Sequence, residues 1–189
     1  AETADLLVST RPLIKDDIAQ ETDAERLDIP TVGAFSPRLG PDYLLYVSAA
    51  NDGHAIWRFA NGTATELWSA PRTRVVGGPA ISPDGKLIAF SAEDDRGTRV
   101  YVLDTARRHA RALSESLDVR GAPTWSRDGR SIIVAVSEGG EPQLYSVPLD
   151  SRAPSPLVSG YSINPIRSTD GEILVYADAD AGPAFPLKA

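Results

Sequence analysis

The chain has 189 residues, with 26 acidic and 19 basic side chains and a formal net charge of −7. This acidic balance argues against nucleic-acid binding, which requires a clustered basic face. Cysteine is absent, which excludes disulfides, thiolate nucleophiles and cysteine-ligated metals. No apolar run reaches the roughly 18 residues that a transmembrane helix needs.

Residues 1–28 form an N-terminal extension in our interpretation. Two short apolar runs of strand length, Leu6–Ser9 and Pro12–Ile14, precede an acidic connection at Asp16–Asp28. The first residues, Ala1–Ala4, are typical of a mature terminus left by signal peptidase, although a trimmed sequence would begin in the same way. We therefore expect a periplasmic location, with the cytoplasm as the alternative.

The remainder of the chain repeats a unit of about forty residues. The clearest copies are Pro79–Ser91, Pro123–Ala135 and Pro165–Ala177, of which the second begins 44 residues after the first and the third 42 residues later. A looser copy occupies Pro30–Ser48. A period in the forties is typical of a β-propeller or a solenoid. The predicted blades span about 29–73, 74–118, 119–160 and 161–189.

Each complete blade is predicted to contain four strands. The first strands of the three complete blades are predicted at Thr31–Ser36, Ala80–Ser82 and Thr124–Ser126. An aromatic residue recurs in each third strand at intervals of 44 residues, as Trp57, Tyr101 and Tyr145. Aromatic residues in this register suit strands that are covered on both faces by neighbouring sheets.

Asp-Gly pairs separate the first and second strands of the later units. They begin at Asp84, Asp128 and Asp170 and predict tight hairpin turns, because glycine accepts a positive φ and aspartate bonds to nearby backbone N–H groups. We interpret these aspartates as structural. A metal ring is the weaker alternative, since repeats distribute such turns around one rim.

The fourth unit is incomplete. Its first two strands are clear, and Gly182–Leu187 weakly imitates the third strand of the second unit. An unpaired strand edge promotes aggregation, and many propellers close by taking a strand from the other end of the chain. We expect Leu6–Ser9 or Pro12–Ile14 to close a four-bladed ring; the alternative is an arc of a larger propeller.

The three clear copies, together with Val100–Asp104 and Ala112–Leu113, resemble the TolB-type β-propeller repeat. The resemblance covers about residues 30–177 and implies an all-β propeller. It is unspecific for activity, because similar blades occur in periplasmic TolB, prolyl-oligopeptidase-like peptidases, pectin-fragment lyases and regulators. Arg167 stands where the repeat favours an aromatic residue, and it therefore marks either weaker packing between blades or a contact with the channel or a partner.

The sequence contains little that points to catalysis. There is no Gly-x-Ser-x-Gly motif, so a serine hydrolase would need a further domain. The two histidines, His54 and His109, are predicted on opposite faces of the propeller and should not share a metal. We therefore predict a non-enzymatic chain that has no cofactor and no metal site.

Acidic residues gather in the loops between second and third strands, which all emerge on one face. Arg96 is the only cation in these loops, whereas the opposite face carries Arg107, Arg108, His109, Arg111 and Arg152. We hypothesise that this face attracts a basic partner segment, although the loops of an acidic protein are acidic in any case. We name as the acidic rim Asp52, Glu93, Asp94, Asp95, Glu138, Glu141, Asp178 and Asp180.

The sequence favours a protein-interaction module, such as an accessory or scaffolding subunit of a bacterial cell-envelope complex. Its expected partners are proteins, including a membrane complex at its periplasmic face, without a membrane span of its own. The alternative is the gating propeller of a peptidase or of a sugar-processing enzyme whose catalytic part is absent. A third reading is the sensory half of a regulator.

Overall fold

The structure is a computed structural model that describes residues 29–31, 33–115, 117–137, 139–150, 152–168 and 170–178, and the backbone of 187–188. All regular elements in these residues are β-strands, which form four antiparallel sheets. We call the sheets blades one to four. Three blades have four strands and the fourth has three, which confirms the predicted fold class.

The strands of each blade lie side by side in sequence order. Blade one contains β1 (Phe35–Leu39), β2 (Leu44–Ala50), β3 (Gly53–Ala60) and β4 (Thr63–Ala70). Blade two contains β5 (Arg74–Ile81), β6 (Leu87–Asp94), β7 (Gly97–Asp104) and β8 (His109–Ala112). Blade three contains β9 (Val119–Trp125), β10 (Ser131–Val136), β11 (Gln143–Pro148) and β12 (Ser155–Val158). Blade four contains β13 (Ile163–Arg167), β14 (Leu174–Ala177) and β15 (Leu187–Lys188).

The hydrophobic cores lie between blades, because the first strands of blades two, three and four each pack across the sheet of the preceding blade. We call these first strands, β1, β5, β9 and β13, the inner strands. Between blades one and two, the Trp68 ring lies 4.7 Å from the Phe90 ring. Between blades two and three, Trp125 is only 4% exposed, and its indole Nε1 donates a 2.9 Å hydrogen bond to the Ala80 carbonyl. Burial of large apolar side chains therefore joins consecutive blades.

The described residues form an arc of four blades. Within them, no packing between blades four and one matches the packing between consecutive blades. The closing strand predicted at Leu6–Ser9 or Pro12–Ile14 lies outside the described residues. In blade four, Leu187 and Lys188 of β15 pair with Ala177 and Tyr176, so the third strand includes the last residue of the predicted Gly182–Leu187 segment and the residue after it, while 182–186 lie outside the described residues.

Every inner strand contains one residue with a positive φ, placed at a β-bulge next to a shift in strand register. These residues are Ser36 (φ 51°), Gly77 (φ 78°), Gly121 (φ 76°) and Asn164 (φ 52°). At Gly77 a Cβ atom would lie 2.6 Å from backbone atoms of both Gly121 and Ala122 in the next blade. Glycine is therefore required there by both conformation and space.

The bulges explain why the predicted first strands were wrong in extent. β5 and β9 begin several residues before the predicted Ala80–Ser82 and Thr124–Ser126, because they continue through the glycine at the bulge. Both strands contain glycine and proline close together. Each of these residue types is depleted from regular strands, so the sequence suggests a loop there. In blade one, β1 starts later than the predicted Thr31–Ser36 and runs on to Leu39.

The Asp-Gly turns have the predicted structural role. In blade two, the Ser82 hydroxyl donates to Asp84 Oδ1 at 2.7 Å, the Lys86 N–H donates to the same oxygen at 3.1 Å, and the Leu87 N–H donates to Ser82 Oγ at 2.9 Å. The turns at Asp128 and Asp170 repeat this network. The serine hydroxyl first, and then the backbone N–H, lower the pKa of each aspartate.

The bulge predicts unequal costs for two glycine substitutions. Gly77→Ala and Gly139→Ala both place alanine at a positive φ, but a Cβ at Gly139 meets no atom within 4 Å. We expect Gly139→Ala to lower the free energy of unfolding by about 1 kcal/mol. Gly77→Ala should cost at least ~2 kcal/mol more, because backbone of the next blade must move. Urea unfolding measures both, and equal losses would contradict the role of the bulge.

The turn networks predict a loss of stability in acid. A carboxylate with a lowered folded-state pKa stabilises the fold above its unfolded pKa, near 3.9, and loses this contribution as pH falls through the folded pKa. Replacing Ser82, Ser126 and Ser168 together by alanine removes the largest cause of the lowered pKa values. Between about pH 6 and pH 3, the melting temperature of this triple variant should therefore fall less than that of the wild type.

A matched control for this experiment is Ser155→Ala, which changes an exposed serine in β12. This variant should show the wild-type drop in melting temperature. An undiminished drop in the triple alanine variant would show that the turn carboxylates do not determine the acid sensitivity.

Candidate functional site

The acidic rim lies on the face where second strands end. Asp52 is in the β2–β3 turn, Glu93 and Asp94 end β6, Asp95 follows them, and Glu141 precedes β11. Asp178 follows β14, whereas Glu138 and Asp180 lie outside the described residues. The antiparallel order of each blade brings these connections to the same face. The structure thus places the described rim residues as four groups on successive blades.

The same face also receives the connections that lead from each fourth strand to the next inner strand, and these carry arginines. Arg72, between β4 and β5, forms a 3.1 Å ion pair with Asp95. Arg74 of β5 is the register partner of Glu93. Arg120 of β9 pairs with Asp118 at 2.8 Å. Counting only the loops after second strands therefore overstated the negative charge of this face. The sequence does contain a signal that places these arginines on the same face, namely their position at the boundaries between repeats.

Two rim carboxylates are held by the fold. Asp94 forms an ion pair with Arg99, and both side chains are largely buried, at 25% and 18% exposed. Asp94 Oδ1 also accepts a 2.8 Å hydrogen bond from the Arg96 N–H. Asp178 is buried at 5% exposure. These two residues therefore contribute little to the charge that a partner would meet.

Three carboxylates of the rim are exposed and form no ion pair with any described residue. They are Asp52, Glu93 and Glu141, in blades one, two and three. Asp95 is exposed as well, but its ion pair with Arg72 offsets its charge. The accessible negative charge of the rim is therefore concentrated in single carboxylates on separate blades.

The histidines have unrelated environments. His54 Nδ1 accepts a 3.0 Å hydrogen bond from the Val75 N–H, and its ring packs edge-on against Phe35 at 5.1 Å. This bond ties blade one to β5, which gives His54 a structural role. His109 is exposed at the start of β8 on the other face. In the part of the chain that the structure describes, no three histidine, aspartate or glutamate side chains are grouped to hold a metal ion.

A cavity of about 540 Å³ lies at the ends of the four inner strands, on the face opposite the acidic rim. The last residues of these strands are Leu39, Ile81, Trp125 and Arg167, which hold equivalent register positions and all line the cavity. Its volume falls in the range of ligand pockets. Among the predicted site residues, only Arg167 contributes to this cavity.

Arg167 also maintains the contact between blades three and four. Its Nε donates to the Trp125 carbonyl at 3.1 Å, and its Nη1 donates to the Gly171 carbonyl at 3.0 Å. Trp125, one blade earlier, donates to the Ala80 carbonyl of the preceding inner strand. The arginine thus replaces the aromatic residue as an inter-blade donor while it also lines the cavity.

No helix long and apolar enough to cross a membrane occurs in the residues that the structure describes. The fold itself is shared with solved propellers. It matches TolB from Acinetobacter baumannii with a TM-score of 0.69 and 23% identity, over 82% of this chain and 40% of that one. It also matches a Mycobacterium tuberculosis puromycin-hydrolyzing peptidase with a TM-score of 0.60 and 22% identity, over 77% and 26% of the two chains.

The sequence relatives belong to the same two classes of protein, TolB proteins and peptidases. The Tol-Pal system protein TolB of Alcanivorax borkumensis is 33% identical over 63 residues, which cover 33% of this chain and 14% of the relative. The uncharacterized peptidase YuxL of Bacillus subtilis is 34% identical over 86 residues, 44% and 13% of the respective lengths. The alignments therefore span only a small part of these relatives. The family model of the TolB beta propeller domain, however, matches residues 27–188, and the chain therefore belongs to this family.

Proposed function

We propose that the chain is a protein-interaction module without catalytic activity of its own, serving as an accessory or scaffolding subunit of a periplasmic cell-envelope complex. The observation that carries the proposal is membership of the TolB beta propeller domain family, together with relatives that are Tol-Pal system proteins. A propeller supplies a broad face of loops on a rigid set of sheets, which suits recognition. The described residues offer no grouped metal ligands in support of catalysis.

The acidic rim is the proposed partner surface, and Asp52, Glu93 and Glu141 are its main contributors. Each is exposed, and the ion pairs of the described residues leave all three unneutralised. Carboxylates on successive blades would attract an extended basic segment that crosses the face. The electrostatic potentials of like charges add, and each potential extends into the solvent by about a Debye length. A partner segment with lysine or arginine residues at intervals fits this arrangement.

The second candidate is the gating propeller of a peptidase or of a sugar-processing enzyme. The match to the Bacillus subtilis peptidase and the fold shared with peptidase propellers support it. A fold-level likeness does not transfer activity. The length of the natural reading frame separates the two candidates, because a hydrolase domain encoded in the same frame would favour the enzyme.

Two aspartate substitutions test the rim. Asp52→Lys reverses a charge on the rim, and Asp42→Lys makes the same change in the β1–β2 connection on the opposite face. Asp42 is 78% exposed and its contact with Arg58 is long, at 3.8 Å, so its loss should cost little stability. In affinity isolation from envelope extracts of the bacterium that encodes the protein, Asp52→Lys should reduce capture of the partner several-fold, whereas Asp42→Lys should not.

Salt provides a second criterion for the same experiment. Capture by the wild-type chain should weaken between about 0.05 M and 0.2 M salt, because exposed charges are screened. Glu141→Lys, in another blade, should act in the same direction as Asp52→Lys. Capture that withstands salt and is equal for the rim and control variants would refute the acidic rim as the binding surface.

A further inference from the structure

Two arginines that line the cavity at the ends of the inner strands are not paired with a carboxylate of the described residues. Arg38 of β1 and Arg167 of β13 both line it, and neither forms an ion pair with any described residue. Among the described residues, Arg38 donates only to the adjacent Pro37 carbonyl, at 2.9 Å, and Arg167 donates only to the two backbone carbonyls. The two positive charges are therefore available to an anion in the cavity.

The other charged groups of the cavity are already engaged. The Arg127 guanidinium forms a two-pronged ion pair with Glu172, in which Nη1 lies 3.0 Å from Oε2. Asp170 Oδ1 accepts hydrogen bonds from the Ser168 hydroxyl at 2.6 Å and from the Glu172 N–H at 3.0 Å. The Arg127–Glu172 pair sums to zero and Asp170 remains negative, so Arg38 and Arg167 still leave the cavity with a net positive charge, although the protein as a whole carries a net charge of −7.

Exposed apolar side chains line the same cavity as these two arginines. Leu39 is 85% exposed and Ile166 is 66% exposed, and they are the most exposed of the large apolar side chains in the described residues. Both line the cavity, together with Ile81 and Trp125. Apolar side chains this exposed at a concave site are typical of a surface that binds another molecule.

We propose that this cavity binds a peptide segment in which a carboxylate stands next to an apolar side chain. The carboxylate pairs with Arg38 and Arg167, since the planar guanidinium matches a carboxylate in a two-pronged geometry. The apolar neighbour packs against Leu39 and Ile166. A glutamate or aspartate side chain and a C-terminal carboxylate offer the same chemistry. Inorganic phosphate offers the charge without the apolar part and should bind more weakly.

This site lies on the face opposite the acidic rim and takes a ligand of opposite charge. It shares with the proposed function only the premise that the ligand is a protein segment. Asp52→Lys should therefore leave the cavity unaffected, and Arg38→Gln should leave capture at the rim unaffected. Failure of one proposal is thereby distinguishable from failure of the other.

Capped synthetic peptides test the cavity with the full 189-residue chain. The first pair is N-acetylated and C-amidated Ala-Leu-Glu-Leu-Ala and its glutamine counterpart. The second pair is N-acetylated Ala-Leu-Leu with a free and with an amidated C-terminus. Titrations in about 0.05 M salt follow the assigned indole N–H resonance of Trp125, one of three tryptophans in the chain. We expect a carboxylate peptide to bind at least about tenfold more tightly than its neutral partner.

The two pairs also distinguish the sources of the carboxylate. Preference for the glutamate peptide indicates an internal acidic residue, and preference for the free C-terminus indicates a chain end. The proposal is overturned if no peptide binds at about 5 mM, if the neutral peptides bind equally well, or if inorganic phosphate binds more tightly than either carboxylate peptide.

Variants assign the binding to the named arginines. Arg38→Gln changes an exposed side chain with a single local hydrogen bond, and we expect it to lower the affinity for the carboxylate peptide about five- to tenfold. Arg130→Gln is the control, because Arg130 is exposed on the same face but does not line the cavity. Arg167→Lys keeps the charge and serves as a second variant that loses the two-pronged geometry. Equal affinities of wild type and a folded Arg38→Gln variant would refute the site.

Discussion

The close approach of consecutive inner strands is the constraint on which the rest of the structure depends. At Gly77 the backbone of blade two comes so near to Gly121 and Ala122 of blade three that no side chain fits between them. Each inner strand has a positive φ at this point and changes its register with the neighbouring strand. The bulge bends the strand, and the residues on both sides of it pair with the second strand of the same blade while the inner strand crosses the preceding sheet.

The contact between inner strands determines where the chain can bury apolar area. Because the cores lie between blades, blades two and three each contribute to two of the described interfaces, blades one and four each contribute to one, and no blade has a complete core alone. Two side chains at these interfaces also form hydrogen bonds to the preceding inner strand, namely Trp125 and Arg167. The Asp-Gly turns then end the inner strands in a fixed geometry beside the cavity.

The sequence was sufficient for the repeat, the fold class and the Asp-Gly turns, because these depend on local patterns of strand and turn residues. It was insufficient for the inner strands. The bulge residues Gly77 and Gly121 suggest a loop when the sequence is read alone, whereas in the fold they supply a positive φ and leave room for the next blade. The charge of the acidic rim was overstated for a similar reason. Arg72 and Arg120 are distant in sequence from the rim loops of their repeats, and only the return of the chain to the same face brings them there.

The last position of the inner strand differs from the rest of the repeat. It holds Leu39, Ile81, Trp125 and Arg167 in the four blades, although their register is the same. The backbone geometry therefore imposes no single side chain there, in contrast to the serine and aspartate of the adjacent turn, which recur because their hydrogen bonds form the turn. Four different side chains converge on one cavity, so at this position the repeat can present a different surface in each blade without altering its scaffold.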